Sequence, residues 1–199
     1  MTGREGITSL GHLPVIDLSR SKLSPVQVLL KEAFDYGVAS IILLLLSPLL
    51  IMCVAALWML RIRPLFTVEE RIGRGGRIFQ TARFNTGSKE CFISEVMKRS
   101  GLDRLPRLAA VLRGEMSLVG PRGQPPGVVA ENPPWERLLL EVKPGLTGLW
   151  LVGRAGDIHD GSDVEFDFYY LRNRSFVLDL VILMRTIPAL WKSEQKHID

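Results

Sequence analysis

The sequence predicts a helix-dominated α/β fold associated with a membrane, and three observations carry that reading. Residues 37–60 contain no charge; two extended runs at 65–72 and 77–84 flank a glycine cluster; and Leu105, Leu108, Ala109 and Leu112 recur at helical spacing. A chain of 199 residues has the length of one ordinary domain, large enough for a core without disulfide or metal staples. Its formal charge of +4 and pI near 9.3 suit an anionic surface or anionic substrates. Aromatic residues make up only 8% and are not interleaved with a basic run, so no nucleic-acid partner is expected. Cys53 and Cys91 cannot form a disulfide framework and read as reduced thiols of a cytosol-facing protein. His12, His159 and His197 are scattered without metal-ligand spacing.

Residues 1–30 form a polar N-terminal extension, expected to be poorly ordered, with no continuous apolar stretch of the signal-peptide type. A helix is expected from about Val26, with Ser24 as cap and Pro25 in its first turn. Residues 31–60 are the membrane segment. Its 24 uncharged residues, 37–60, would extend about 36 Å as a straight helix, enough to span a bilayer. Against a simple span stand Ser47-Pro48 at the midpoint, where proline removes a backbone bond, and cations on both flanks: Arg20, Lys22 and Lys31 before, Arg61, Arg63, Arg71, Arg74 and Arg77 after. A re-entrant hairpin breaking at Ser47 and Pro48 satisfies both, with the Ser47 hydroxyl serving a freed carbonyl. From the residues alone, spanning and re-entrant readings stay balanced.

Residues 61–199 make the cytosolic-face part. Gly73, Gly75 and Gly76 punctuate a β-hairpin, and the spacing of a phosphate-binding P-loop is absent. Lys98, Arg99, Arg104, Arg107, Arg113 and Arg122 then crowd one segment around Asp103, at the expected start of a helix over about 104–112. Asp103 is either that helix's cap or a carboxylate kept ionised for chemistry, and the cations suit a phosphate ligand. Four prolines at 125, 126, 133 and 134 keep the next stretch in loops, before a short helix at 135–142. Residues 143–148 read as an architectural turn. Residues 176–191 are apolar but carry Asp179 and Arg185, as an interfacial amphipathic helix would, with Trp191 and Lys192 at headgroup level.

Taken in order, these blocks resemble the bacterial sugar transferases, the small monotopic polyprenyl-phosphate phosphoglycosyl transferases. The core of the resemblance is Leu-Asp-Glu-Leu-Pro-Gln-Leu, matched by residues 102–108, then Val-Leu-Lys-Gly-Asp-Met-Ser-Leu-Val-Gly-Pro-Arg-Pro, matched by 111–122 through Pro121 and Arg122. Arg104 stands where the family has glutamate, and Gly123 where it has the second proline of Pro-Arg-Pro. Further blocks are Lys31 and Asp35 at the membrane edge, Ser47-Pro48, and Phe66, Glu70, Arg71, Gly73, Gly76 and Phe79, with Glu70 in place of a glutamine. Arg83 follows in the segment matching Lys-Phe-Arg-Thr-Met; Pro144, Gly145, Thr147 and Gly148 match Arg-Pro-Gly-Ile-Thr-Gly; and Asp167, Tyr170, Ser175 and Asp179 keep the family's spacing. The resemblance covers roughly residues 31–191.

It implies a re-entrant rather than spanning helix, at the cytoplasmic face of a bacterial inner membrane. It also implies transfer of a phospho-sugar from a UDP-sugar to polyprenyl phosphate, starting glycoconjugate or exopolysaccharide synthesis. Asp103 then aligns with the family's nucleophile, with Arg104 beside it, and Arg71, Arg83, Arg99 and Arg122 are the candidate phosphate and nucleotide-sugar ligands. Lys31, Asp35, Pro121, Pro144, Gly145, Thr147, Gly148, Asp167, Tyr170 and Asp179 are the supporting residues. The family's acidic pair is associated with Mg²⁺, for which Asp103 is the remaining ligand; a cation at 104 suggests a guanidinium partly standing in for the metal. Two other readings remain open: a catalytically degenerate paralogue acting as membrane-bound partner or regulator, and an anchored module for anionic lipid. The sugar, the polyprenol length and a homo-oligomeric state are left open.

Overall fold

The computed structural model describes residues 24–86, 92–127, 134–155 and 163–192. Most of residues 1–30, together with Cys91 and the three histidines, lies outside them. Helix α1, Pro25–Met59, starts where expected: Ser24 Oγ accepts from the Gln27 N–H, the Gln27 side chain accepts from the Ser24 N–H, and Pro25 opens the first turn. It is long and apolar enough to cross a membrane by length and composition. The break expected at Ser47 and Pro48 does not interrupt it, since helical structure continues through both residues. The local reason is a substitute hydrogen bond. Pro48 has no N–H for the Leu44 carbonyl four residues back, and Ser47 Oγ donates to that carbonyl at 2.7 Å.

Strands β1, Phe66–Ile72, and β2, Ile78–Phe84, form the expected antiparallel hairpin, with Glu69 opposite Thr81 and Arg71 opposite Phe79. Gly75 and Gly76 take φ values of 72° and 78° in the connecting turn, a backbone that favours glycine. Helix α2 is Phe92–Arg99. The helix expected over 104–112 is divided: Leu102–Arg107 is a 3-10 segment containing Pro106, and helix α3 covers only Leu108–Leu112. Pro106 cannot donate a backbone bond and disfavours the α conformation of the residue before it. Residues 143–148, read as a turn, contain strand β4, Gly145–Thr147, which pairs in parallel with β3, Ser117–Val119. A 3-10 helix, Pro134–Glu141, precedes β4, and helices α4, Leu149–Ala155, α5, Asp163–Arg172, and α6, Phe176–Lys192, follow it.

Two apolar clusters hold these elements. One joins Ala39 of α1 to Leu108, Val111, Leu118, Val119, Tyr170 and Ile182; the other joins Cys53 and Leu57 of α1 to Ile62, Phe84 and Met97. Both halves of α1 are therefore packed against the rest of the chain, while Ile41, Leu44, Leu45, Ile51 and Met52 between them are exposed. Helix α6 turns a similar apolar face outward, through Phe176, Val177, Leu180, Met184 and Ile187. Phe34 and Phe176 meet edge to face with centroids 5.0 Å apart, joining the two helices.

Polar residues fasten α1 and α6 beneath that surface. Lys31 donates to Asp179 at 2.5 Å and to the Val119 carbonyl at 3.2 Å, and lies 3.9 Å from Asp35. Tyr170 donates to Asp179 at 2.7 Å, and Ser117 donates to Asp35 at 2.6 Å. Burial pushes the Asp35 carboxyl up, against the opposing effects of Lys31 and Ser117. Burial and then the Asp179 charge raise the Tyr170 hydroxyl well above the tyrosine range. Lys31, Asp35, Tyr170 and Asp179, chosen from sequence as supporting residues, thus form one buried network. Ser175 caps α6 by accepting from the Leu178 N–H.

Candidate active site

Asp103 lies in the first turn of the 3-10 segment and is 2% exposed. It does not cap a helix. The position before the segment is Gly101, at φ 70°, and Asp103 Oδ2 instead accepts from Arg83 Nη2 at 2.6 Å. Arg83 reaches across from β2, with its side chain one-third exposed. Asp103 Oδ1 is buried and has no hydrogen-bond partner. Of the two readings of this acid, the structure removes the cap and leaves the carboxylate held by a cation.

Glu69, which the sequence reading passed over, gathers the surrounding cations. Its Oε2 accepts from Arg71 at 2.6 Å and from Arg107 at 2.9 Å, and its Oε1 lies 3.5 Å from Arg83 Nη1. Burial raises the Glu69 carboxyl, but the Arg71 hydrogen bond and the charges of Arg107, Arg71 and Arg83 outweigh it, so the group sits below its ordinary value. Arg107 is itself drawn down, first by burial, although Glu69 opposes this. Strand alternation could have found the residue: Glu69 and Arg71 are two apart in β1, and Arg83 is two from Thr81, the partner of Glu69. Glu70, singled out for replacing a glutamine, is exposed on the other face.

Unpaired polar atoms border the cluster. Besides Asp103 Oδ1, the Arg107 Nε and Thr81 Oγ1 are buried without partners. Such atoms are uncommon in folded proteins, and here an acceptor, a guanidinium donor and a hydroxyl occur around one hairpin face. The set suits a ligand that both accepts and donates hydrogen bonds.

The other sequence-chosen residues divide. Arg71 also donates to the Gly123 carbonyl at 2.9 Å, linking the cluster to the Pro121–Arg122 segment. Arg122 is exposed, 5.8 Å from the centre of the Trp150 ring, and its backbone N–H donates to Asp167 at 2.9 Å. Arg104 is half-buried and makes no side-chain hydrogen bond or ion pair among the described residues, although its charge acts on Arg107. Lys98 is exposed, and Arg113 faces elsewhere, bonded to Glu115 and the Gln80 carbonyl. The side chain of Arg99 lies outside the described set. Pro144, Gly145, Thr147 and Gly148 are architectural: a Cβ at Gly145 would lie 2.2 Å from the Gly120 nitrogen, and one at Gly148 2.2 Å from the Gly120 oxygen. Thr147 Oγ1 lies 2.6 Å from Thr186 Oγ1, tying β4 to α6.

These residues do not fit Mg²⁺. Among the described residues no three His, Cys, Asp or Glu side chains converge. One Asp103 oxygen is engaged by Arg83, Glu69 is engaged by guanidiniums, and position 104 adds a further cation. A divalent ion wants unencumbered oxygen ligands and a negative surrounding. A separate cavity of about 60 Å³ is lined by Lys31, Asp35, Ser117 and Tyr170, but the network described above satisfies those groups, so it carries no chemistry.

Comparison with known proteins gives the same region a context. A family model described as Bacterial sugar transferase matches residues 26–193. The exopolysaccharide production protein ExoY of Rhizobium meliloti (strain 1021) is 31% identical over 207 residues, 87% of this chain and 90% of that protein. The UDP-glucose:undecaprenyl-phosphate glucose-1-phosphate transferase of Escherichia coli (strain K12) is 30% identical, covering 91% of this chain and 44% of that protein. The UDP-N-acetylgalactosamine-undecaprenyl-phosphate N-acetylgalactosaminephosphotransferase of Aeromonas hydrophila is 28% identical, covering 96% and 49%.

Proposed function

The chain belongs to the bacterial sugar transferase family, and from that membership we propose that it moves a phospho-sugar from a UDP-sugar to undecaprenyl phosphate, the first step of an exopolysaccharide or other glycoconjugate. The observation that carries the reading is the buried Asp103 carboxylate in its guanidinium cluster, inside the segment that matches the family's core. Asp103 is the nucleophile. A carboxylate oxygen attacks the β-phosphorus, the bond from that phosphorus to the bridging oxygen breaks, and UMP leaves with the electron pair. The aspartyl phospho-sugar is then attacked at the same phosphorus by a polyprenyl phosphate oxygen. This breaks the acyl phosphate bond, restores the carboxylate and releases polyprenyl diphosphate sugar. Both steps bring an anion onto a charged phosphorus, and Arg83, Arg71 and Arg107 offset the crowded charge.

The site works at the cytoplasmic face of the inner membrane, with α1 entering and leaving by that face through a bend at Pro48 rather than a break, and α6 lying at the interface. Supporting this are the docking of both halves of α1 on one body, the exposed apolar residues between them, and the outward apolar face of α6. A lipid phosphate at the headgroup plane and a nucleotide sugar from water meet at that depth. The test is UMP release from UDP-glucose, UDP-galactose and UDP-N-acetylgalactosamine with undecaprenyl phosphate. One sugar should give release that Asp103→Asn abolishes while remaining folded. No release from any UDP-sugar would instead support a degenerate paralogue.

A further inference from the structure

We propose that this chain transfers its phospho-sugar without a divalent metal, the arginines gathered by Glu69 supplying the positive charge that the substrate diphosphate needs. The inference rests on the transferase reading above. A UDP-sugar brings two phosphate groups, and its transfer requires a cation at the diphosphate. Three guanidiniums, from Arg71, Arg83 and Arg107, here contact two carboxylates, Asp103 and Glu69, leaving positive charge in excess before Arg104 is added. A magnesium ion entering this site would find one free oxygen, Asp103 Oδ1, with the other Asp103 oxygen and Glu69, the second carboxylate of the cluster among the described residues, held by guanidiniums, and would sit among four arginines.

The same geometry suits a diphosphate directly. Guanidiniums match phosphate oxygens through paired N–H donors, and a guanidinium has five such donors. Glu69 holds one terminal nitrogen each of Arg71 and Arg107, and the Arg107 Nε is buried with no acceptor. Arg83 is the most exposed of the three. In the free protein it holds Asp103 Oδ2. When a diphosphate arrives, its oxygens take over Arg83 and leave the Asp103 carboxylate free to attack. Position 104, where an acid would have added a metal ligand, adds a fourth cation instead.

The test uses the full chain in detergent or lipid nanodiscs, with UDP as the binding probe and the three UDP-sugars above as substrates. UDP affinity is measured by calorimetry in EDTA and in millimolar Mg²⁺, and UMP release is followed under both conditions. Binding is expected to change by no more than about twofold with Mg²⁺, and release to persist in EDTA at a comparable rate; metal-requiring phosphate sites lose their function on chelation. UMP release that appears only with Mg²⁺, or UDP binding tightened about tenfold or more by it, would overturn metal independence while leaving the transferase intact. Failure to bind UDP and to release UMP under either condition would overturn both.

Discussion

Asp103 has one partner, Arg83, and Glu69 has three arginines, so the charge state of the site turns on Glu69. Its carboxyl sits below the ordinary range because the arginines outweigh its burial. A depressed carboxyl contributes stability that is present above its unfolded value, about 4.3, and lost as pH falls through its lower folded value. The contribution of Glu69 to folding stability should therefore hold as pH is lowered through the ordinary carboxylate range and fall only below it, which denaturation of the wild type and Glu69→Gln across that range checks. Glu69→Gln leaves the arginines unheld and should lower turnover by about 10²-fold, the scale of loss from modest misplacement of catalytic groups. Glu70→Gln, exposed on the opposite face, should leave turnover unchanged. The contrast marks the limit of residue-level reading. Arg71 and Arg83 were legible as candidate phosphate ligands, and the structure brings them together on one carboxylate, but attention to a replaced glutamine fixed on Glu70, whereas hairpin alternation puts Glu69 on the arginines' face.

Among the elements, those governed by local chemistry were legible and those governed by distant pairing were not. Ser24 and Pro25 announce α1, and the glycines at 73, 75 and 76 announce the hairpin turn. Nothing local to residues 145–147 reveals a strand, because β4 exists only through its parallel partner 28 residues earlier, with Ser117 opposite Gly145. Pro106 did signal against a continuous helix from Arg104, and the spacing of the leucines obscured it. The buried network yields an element-scale prediction from its two aspartates. Asp179 holds Lys31 at 2.5 Å and accepts from Tyr170, so Asp179→Asn should cost about 3–5 kcal/mol, as when one partner of a buried ion pair is removed. Asp35 differs in sign. Its raised carboxyl contributes stability that is full below the unfolded value and lost as pH rises through the folded one, so at neutral pH Asp35→Asn should not lower the unfolding midpoint. Denaturation of the two variants in detergent at pH 7 separates them. Gly145→Ala should be worse than Asp35→Asn, because its Cβ would lie 2.2 Å from backbone.

For the whole molecule, α1 is anchored at both halves while its middle is apolar and exposed. A re-entrant path follows if both flanks stay on one side. In a background lacking native cysteines, Gln27→Cys and Arg63→Cys should both resist an impermeant thiol reagent added outside intact cells; labelling of either would indicate a crossing. Pro48→Ala should favour crossing, since it restores the missing backbone bond in a run already long enough to span. Membrane attachment and the core segment could be read from the chain, whereas the way α1 serves both apolar clusters depends on contacts between residues far apart in sequence. Everything proposed for the reaction depends on a covalent bond to Asp103. The most direct test is the intact mass of the protein after incubation with a UDP-sugar that supports turnover, in the absence of polyprenyl phosphate. Covalent catalysis requires a mass increase equal to one phospho-sugar, localised to the peptide containing Asp103, absent from Asp103→Asn and discharged on adding undecaprenyl phosphate. An unmodified mass under conditions where UMP is released, or an adduct on another residue, would contradict it.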